Sequence, residues 1–163
     1  RVSNLTLAEL AEIYSGIRKN WPDGSPIRLI LRDEGETDTR LIKEQAPELA
    51  QPLDDASIRR GILIGPSDQQ AADLLESVPR SMGFLSLSLI LAEDRPLMVL
   101  DLDGVKATSQ TIASGQYGLV KTFYLVSGLN MSPAAHAFID FLDSPQAQEI
   151  LEKTGHAPAR PGA

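Results

Sequence analysis

The chain has 163 residues, a net charge of −7 and no cysteine, with 42% hydrophobic but only 5% aromatic residues. That length suits one domain, or one lobe with part of another, around an aliphatic core. The acidic balance argues against a nucleic-acid partner, which is held through Lys and Arg, and the missing cysteine excludes disulfides, thiolate chemistry and Cys-type zinc sites.

The longest near-apolar run, Phe84 to Ala92, contains two serines and is far short of the about 20 residues that span a bilayer. The chain begins at Arg1 without a signal peptide and reads as a processed or partial chain.

In chain order, Thr6 and Glu9 predict a capping box, with Leu5 and Leu10 as its hydrophobic staple. Leu7, Leu10, Ala11 and Tyr14 then form one apolar helical face that ends at Gly16. Asn20 to Pro26 is rich in turn residues. Ile27 to Leu31 reads as a strand buried on both faces. Thr37 or Asp38 is expected to cap a helix running to about Ala46, before Pro47.

A short helix is expected over Asp54 to Arg60, and a short strand over Ile62 to Ile64. Ser67 and Gln70 predict a second capping box, opening a helix to about Ser77. Strands are expected over Met82 to Ser86, Leu97 to Leu102 and Leu119 to Val126. Short helices are expected over Leu87 to Glu93 and Thr108 to Ser114. Ser132-Pro133 and Ser144-Pro145 each pair an N-cap with a first-turn proline and open two consecutive helices. This alternation implies an α/β fold.

The run Arg32-Asp33-Glu34-Gly35-Glu36-Thr37-Asp38-Thr39-Arg40 follows a buried strand and opens a helix. Loops of this kind are natural anion sites, because free amides and the helix dipole both favour negative charge. Arg32 could add bidentate donors. Thr37 and Thr39 could add hydroxyls, and Glu34 could accept from a protonated oxyanion. The same run also reads as an acidic, solvated loop.

His136 and His156 have no third partner at metal-ligand spacing. Trp21 reads as a packing anchor. Asp101 and Asp103 read as strand-end polar residues. No Walker loop, dinucleotide fingerprint or nucleophile elbow is present, so no cofactor and no enzymatic activity are expected.

Several stretches, in order, resemble the phosphate-type (type II) periplasmic solute-binding proteins of ABC transporters. Asn4-Leu5-Thr6-Leu7-Ala8-Glu9-Leu10 through Ile13-Tyr14-Ser15-Gly16, then Asn20-Trp21, is similar to that family's L-T…L…S-G…N-W segment. Ser81-Met82-Gly83-Phe84 resembles its A-I-G-Y strand. Leu100 to Val105, with Gly115-Gln116-Tyr117 through Val126, resembles its I-D-G-V…G-x-Y-P-L-x-R-P-L-Y-L. Ala137-Phe138-Ile139-Asp140-Phe141 through Gln148, then Gly155-His156-Ala157-Pro158, resembles its C-terminal motif.

The resemblance implies a periplasmic-binding-protein-like type II lobe, with a mixed sheet flanked by helices and part of the second lobe. It implies residues 1–100 as lobe two and 101–163 as a segment returning to lobe one, crossing within Asp101 to Tyr117. The N-terminal part of lobe one would be absent. The implied function is capture of phosphate or a related oxyanion by lobe closure, for delivery to ABC-transporter membrane subunits. The implied setting is periplasmic or otherwise extracytoplasmic, and a sensory ligand-binding domain is the alternative.

Against the family's R-x-D-G-S-G-T, Arg32, Glu34 and Gly35 match, and Thr37, Asp38 and Thr39 complete the expected ligand-binding set. Glu36, Asp38, Gly118 and Lys121 depart from the family pattern. Strand edges left without neighbours are expected to expose apolar surface that a homodimer would bury.

Overall fold

The computed structural model describes residues 2–33 and 35–157, so Glu34 and the tail from Pro158 lie outside the described residues. Strands and helices alternate along the chain, as expected. The central strand is β2 (Arg28–Arg32). It pairs in parallel with β3 (Leu63–Gly65) on one side and β4 (Ser81–Met82) on the other. β1 (Asn4–Leu5) and β5 (Asp101–Leu102) form a second parallel pair. Among the described residues, antiparallel pairing is confined to two isolated bridges, Asn20 with Pro26 and Leu102 with Val105.

The capping box forms as the sequence predicts. Thr6 caps α1 (Leu7–Ser15), Glu9 bonds back to the Thr6 amide, and Gly16 closes the helix at φ 82°. The Thr6 amide bond and Arg18 hold the Glu9 carboxyl below the ordinary glutamate range. Asp103, expected as a polar strand end, accepts from the Leu7 amide at 3.2 Å and so ties β5 to the head of α1.

Leu10, Ile13 and Tyr14 enter a core shared with Leu29, Leu31, Leu49 and Leu53. Tyr14 stacks on Phe84 with centroids 5.4 Å apart, and its burial raises the phenol above its usual range. Trp21 is an anchor, donating from its indole to the Arg80 carbonyl at 3.1 Å.

Among the described residues, side-chain oxygens cap five further helix starts. Ser67 opens α4 (Asp68–Ser77), although Gln70 reaches back to the serine hydroxyl rather than to its amide. Ser86 opens α5 (Leu87–Ala92) and Thr108 opens α6 (Ser109–Ser114). Ser132 and Ser144 open α7 (Pro133–Leu142) and α8 (Pro145–Lys153), each with proline in the first turn.

Five expectations are corrected. α2 (Thr37–Gln45) takes Glu36 as its N-cap residue, with Thr37 and Asp38 already inside its first turn. α3 (Ala50–Ser57) begins earlier than expected, continuing a 3-10 turn at Pro47–Leu49; proline suits a first turn. The strand expected from Met82 to Ser86 is shortened to its first residue, pairing with β2 only at Arg28 and Leu29 before the chain turns into the helix that Ser86 caps.

The strand expected at Leu97 to Leu102 is reduced to Asp101–Leu102, the two residues that β1 can pair. Leu119 to Val126 forms no strand, since no described strand lies alongside it. Phe123, Tyr124, Leu125 and Val126 stay exposed. A β-prone run becomes a strand only by pairing.

The sheet and α4 approach closely at Gly65, where a Cβ would lie 2.5 Å from the Ala71 Cα. Gly65→Ala is therefore expected to destabilise the fold by about 1–3 kcal/mol, read as a lowered thermal midpoint. Gly118→Ala meets nothing within 4 Å and is expected to stay within about 0.5 kcal/mol of the parent. Equal midpoints for the two variants would contradict this packing.

Candidate functional site

The carboxyl ends of β2 and β3 lie side by side, with Arg32 in register with Gly65. Each strand runs directly into a helix, β2 into α2 and β3 into α4. Two helix N-termini therefore meet at one corner. Crevices outside strand carboxyl ends are where open α/β sheets place ligands, and helix N-termini present free amides and positive potential.

Arg32 occupies the centre of this corner, with its side chain only 8% exposed. Its Nη1 donates to the Gly65 carbonyl at 3.1 Å. Its Nη2 faces Glu36 Oε1 at 3.2 Å and Asp68 Oδ1 at 3.1 Å. Its Nε is buried and, among the described residues, has no hydrogen-bond partner. An unmet buried donor is uncommon and carries a desolvation cost. Glu36 precedes α2 and Asp68 is the first residue of α4, so both carboxylates sit where a helix dipole favours negative charge.

Two further groups of the acidic run are tied within the loop. Asp33 accepts from the Gly35 amide at 3.0 Å through its carboxylate and from the Thr39 hydroxyl at 3.2 Å through its carbonyl. Among the described residues no side chain caps α2, so its leading amides are available to another acceptor. A small crevice of about 30 Å³ is lined by Arg32, Asp38 and Thr39 together with Tyr14, Leu53 and Phe84. That volume admits about two water-sized groups, which makes it a niche for part of a ligand.

The structure brings Arg32, Asp38 and Thr39 to this crevice, and places Thr37 at the first position of α2. Glu34 lies outside the described residues. Asp38 is not aimed at Arg32: its carboxylate pairs with Lys121 at 2.5 Å. One side chain from the far end of α2 completes that contact. Gln45 accepts from the Val120 amide at 2.8 Å and donates to the Val120 carbonyl at 2.6 Å. Residues Val120 and Lys121 are thus strapped along α2.

Sequence reasoning missed three participants. Asp68 follows the Ser67 cap, and no local signal marks it as more than a first-turn helix residue. Gln45 and Lys121 are separated from their partners by 75 and 83 positions, a distance no local pattern reveals. Elsewhere, His136 is exposed on α7, and His156 lies 3.1 Å from the Thr154 hydroxyl and 6.2 Å from the Phe123 ring. Among the described residues, no three His, Asp or Glu side chains are grouped to hold a metal ion, and no helix is long and apolar enough to cross a membrane.

Comparison with known proteins agrees with this architecture. A family model described as a PBP superfamily domain matches residues 1–146. The phosphate-binding protein PstS of Borreliella burgdorferi is 25% identical over 162 residues, covering 95% of this chain and 58% of that protein. PstS of Bacillus subtilis is 26% identical over 163 residues, covering 96% of this chain and 51% of that protein. The chain therefore spans a little over half the length of these relatives.

Among solved structures, a putative phosphate ABC transporter substrate-binding protein from Clostridium perfringens, with bound phosphate, superposes with a TM-score of 0.76 at 23% identity, over 98% of this chain and 64% of that one. PstS from Borrelia burgdorferi superposes with a TM-score of 0.65 at 22% identity, over 98% of this chain and 66% of that one.

The strap can be tested without any ligand. Gln45→Ala removes both bonds to Val120 and is expected to speed chymotryptic cleavage after Phe123 and Tyr124 several-fold. Asp38→Asn, which removes one exposed ion pair worth up to about 1 kcal/mol, should speed it less. A cleavage rate unchanged by Gln45→Ala would contradict the strap.

Proposed function

This chain belongs to the PBP superfamily, and on that premise we propose that it is the ligand-binding portion of an extracytoplasmic solute-binding component of an ABC importer, and not an enzyme. The solute we propose is phosphate or a similar small oxyanion. The observation that carries this reading is the buried Arg32 guanidinium, held where α2 and α4 begin, with its Nε–H unmet among the described residues. A fixed guanidinium beside uncapped helix amides is the donor set an oxyanion requires.

In this reading Arg32 supplies the charge-assisted bonds. Thr37 supplies a hydroxyl, Thr39 supplies a second once its hydroxyl turns from the Asp33 carbonyl to the solute, and the amides of Thr37 and Asp38 serve the solute from the first turn of α2. Glu34, matched to the family's acidic position, accepts a hydrogen bond from the protonated oxygen of hydrogen phosphate. The Asp38 carboxylate is held by Lys121, so its contribution comes from the backbone. The relatives named phosphate-binding proteins support the class of solute, and the bound phosphate described for the Clostridium perfringens protein supports it further.

The pairing of β1 with β5 supports a division of the chain near residue 101, with residues 1–100 forming the lobe that carries Arg32 and residues 101–163 crossing to the other lobe. Closure of two lobes would then complete the solute's shell. ABC-transporter membrane subunits are the proposed receivers of the loaded protein.

The test is a phosphate titration of the 163-residue chain, followed by amide shifts in NMR spectra and by calorimetry. Phosphate is expected to bind weakly, with shifts centred on Gly35 to Thr39, since the relatives carry much additional chain that this one does not span. Arg32→Ala should abolish those shifts. Identical titrations for the parent and Arg32→Ala would overturn the assignment.

A further inference from the structure

We infer that Glu36 and Asp68 are internal stand-ins for the solute, specificity-determining carboxylates that occupy Arg32 until an oxyanion with more to offer displaces them. The inference rests on reading this corner as a solute site, and it goes beyond that reading by assigning two residues that the family pattern does not supply.

The two acids approach the same guanidinium nitrogen from different elements, Glu36 from the N-cap position of α2 and Asp68 from the first turn of α4, at 3.2 Å and 3.1 Å. Their own side chains are 38% and 44% exposed, against 8% for Arg32. The cation is therefore fixed and dry, while each carboxylate has water at hand. A buried guanidinium cannot lose its partners without a large cost. It can exchange them for another anion, because the departing carboxylates turn into solvent and stay charged there. The corner thus has two occupied states and no empty one.

Geometry then decides which anions win. Both acids meet Nη2, Nη1 is satisfied by Gly65, and neither acid reaches Nε. A tetrahedral oxyanion presents several oxygens on one centre. It can span Nη2 and Nε together, forming the bidentate pairing that Arg favours, and gains a bond that the internal acids leave unmade. A single-point monoanion such as chloride gains no second bond and must still displace two carboxylates. The selected class is accordingly the doubly charged, multi-oxygen anions. The internal acids also explain why an acidic loop can serve an anionic solute: their charge belongs to the unloaded state.

The experiment compares Glu36→Gln, Asp68→Asn and the double variant with the parent in titrations of sodium phosphate and of sodium chloride at constant ionic strength. Both substitutions keep an acceptor near Arg32, and the single variants guard against a double variant that fails to fold. Each single variant is expected to bind phosphate more tightly, and the double variant by about tenfold or more, with chloride still unbound. Phosphate affinity unchanged or weakened in folded single variants would overturn the stand-in role and leave the solute-site reading in place. The same holds if chloride binds the parent as well as phosphate does. No phosphate-dependent shift in parent or variants at tens of millimolar would overturn both.

Discussion

A guanidinium that has been taken out of water must be surrounded by acceptors, and that requirement organises the carboxyl end of this sheet. Arg32 leaves the central strand with its side chain almost wholly buried. Its partners come from the loop before α2, from the end of β3 and from the start of α4. One cation therefore fixes the relative positions of two strand ends and two helix starts. Removing one partner of a buried ion pair strands the other, so the geometry is held by the penalty for breaking it as much as by attraction.

The supporting frame is apolar and close. Leu29, Ile30 and Leu31 are buried along β2. Gly65 and Gly83 allow α4 and the segment after β4 to approach backbone to backbone, because a Cβ at either position would come within 2.5 Å of a neighbour. Such approach is what brings the first turn of α4 near enough for Asp68 to reach Arg32. The chemistry of the corner thus depends on Gly65, a residue that serves by having no side chain.

Much of this was legible from residue types. The capping residues Thr6, Ser67, Ser132 and Ser144 mark helix starts locally, because a side-chain oxygen must meet an orphan amide within three residues. The buried strand before Arg32 and the helix after it were legible for the same local reason. The strand expected at Leu119 to Val126 was not realised, because a strand is defined by its neighbour and no residue within the run specifies one. The Arg32 to Asp68 and Lys121 to Asp38 pairs were illegible because they join positions far apart in sequence. The acidic run was read as either a solvated loop or an anion site. In the fold it is partly each: Asp33 serves the loop's own turn, while Glu36 turns inward to the cation.

The most direct measurement is the side-chain Nε–H resonance of Arg32 in 15N-edited NMR spectra, followed as phosphate is added. The account predicts that this resonance moves more than that of any other arginine, because its buried N–H has no partner among the described residues before the solute arrives. An Arg32 Nε–H that stays in place while other arginines respond would contradict it.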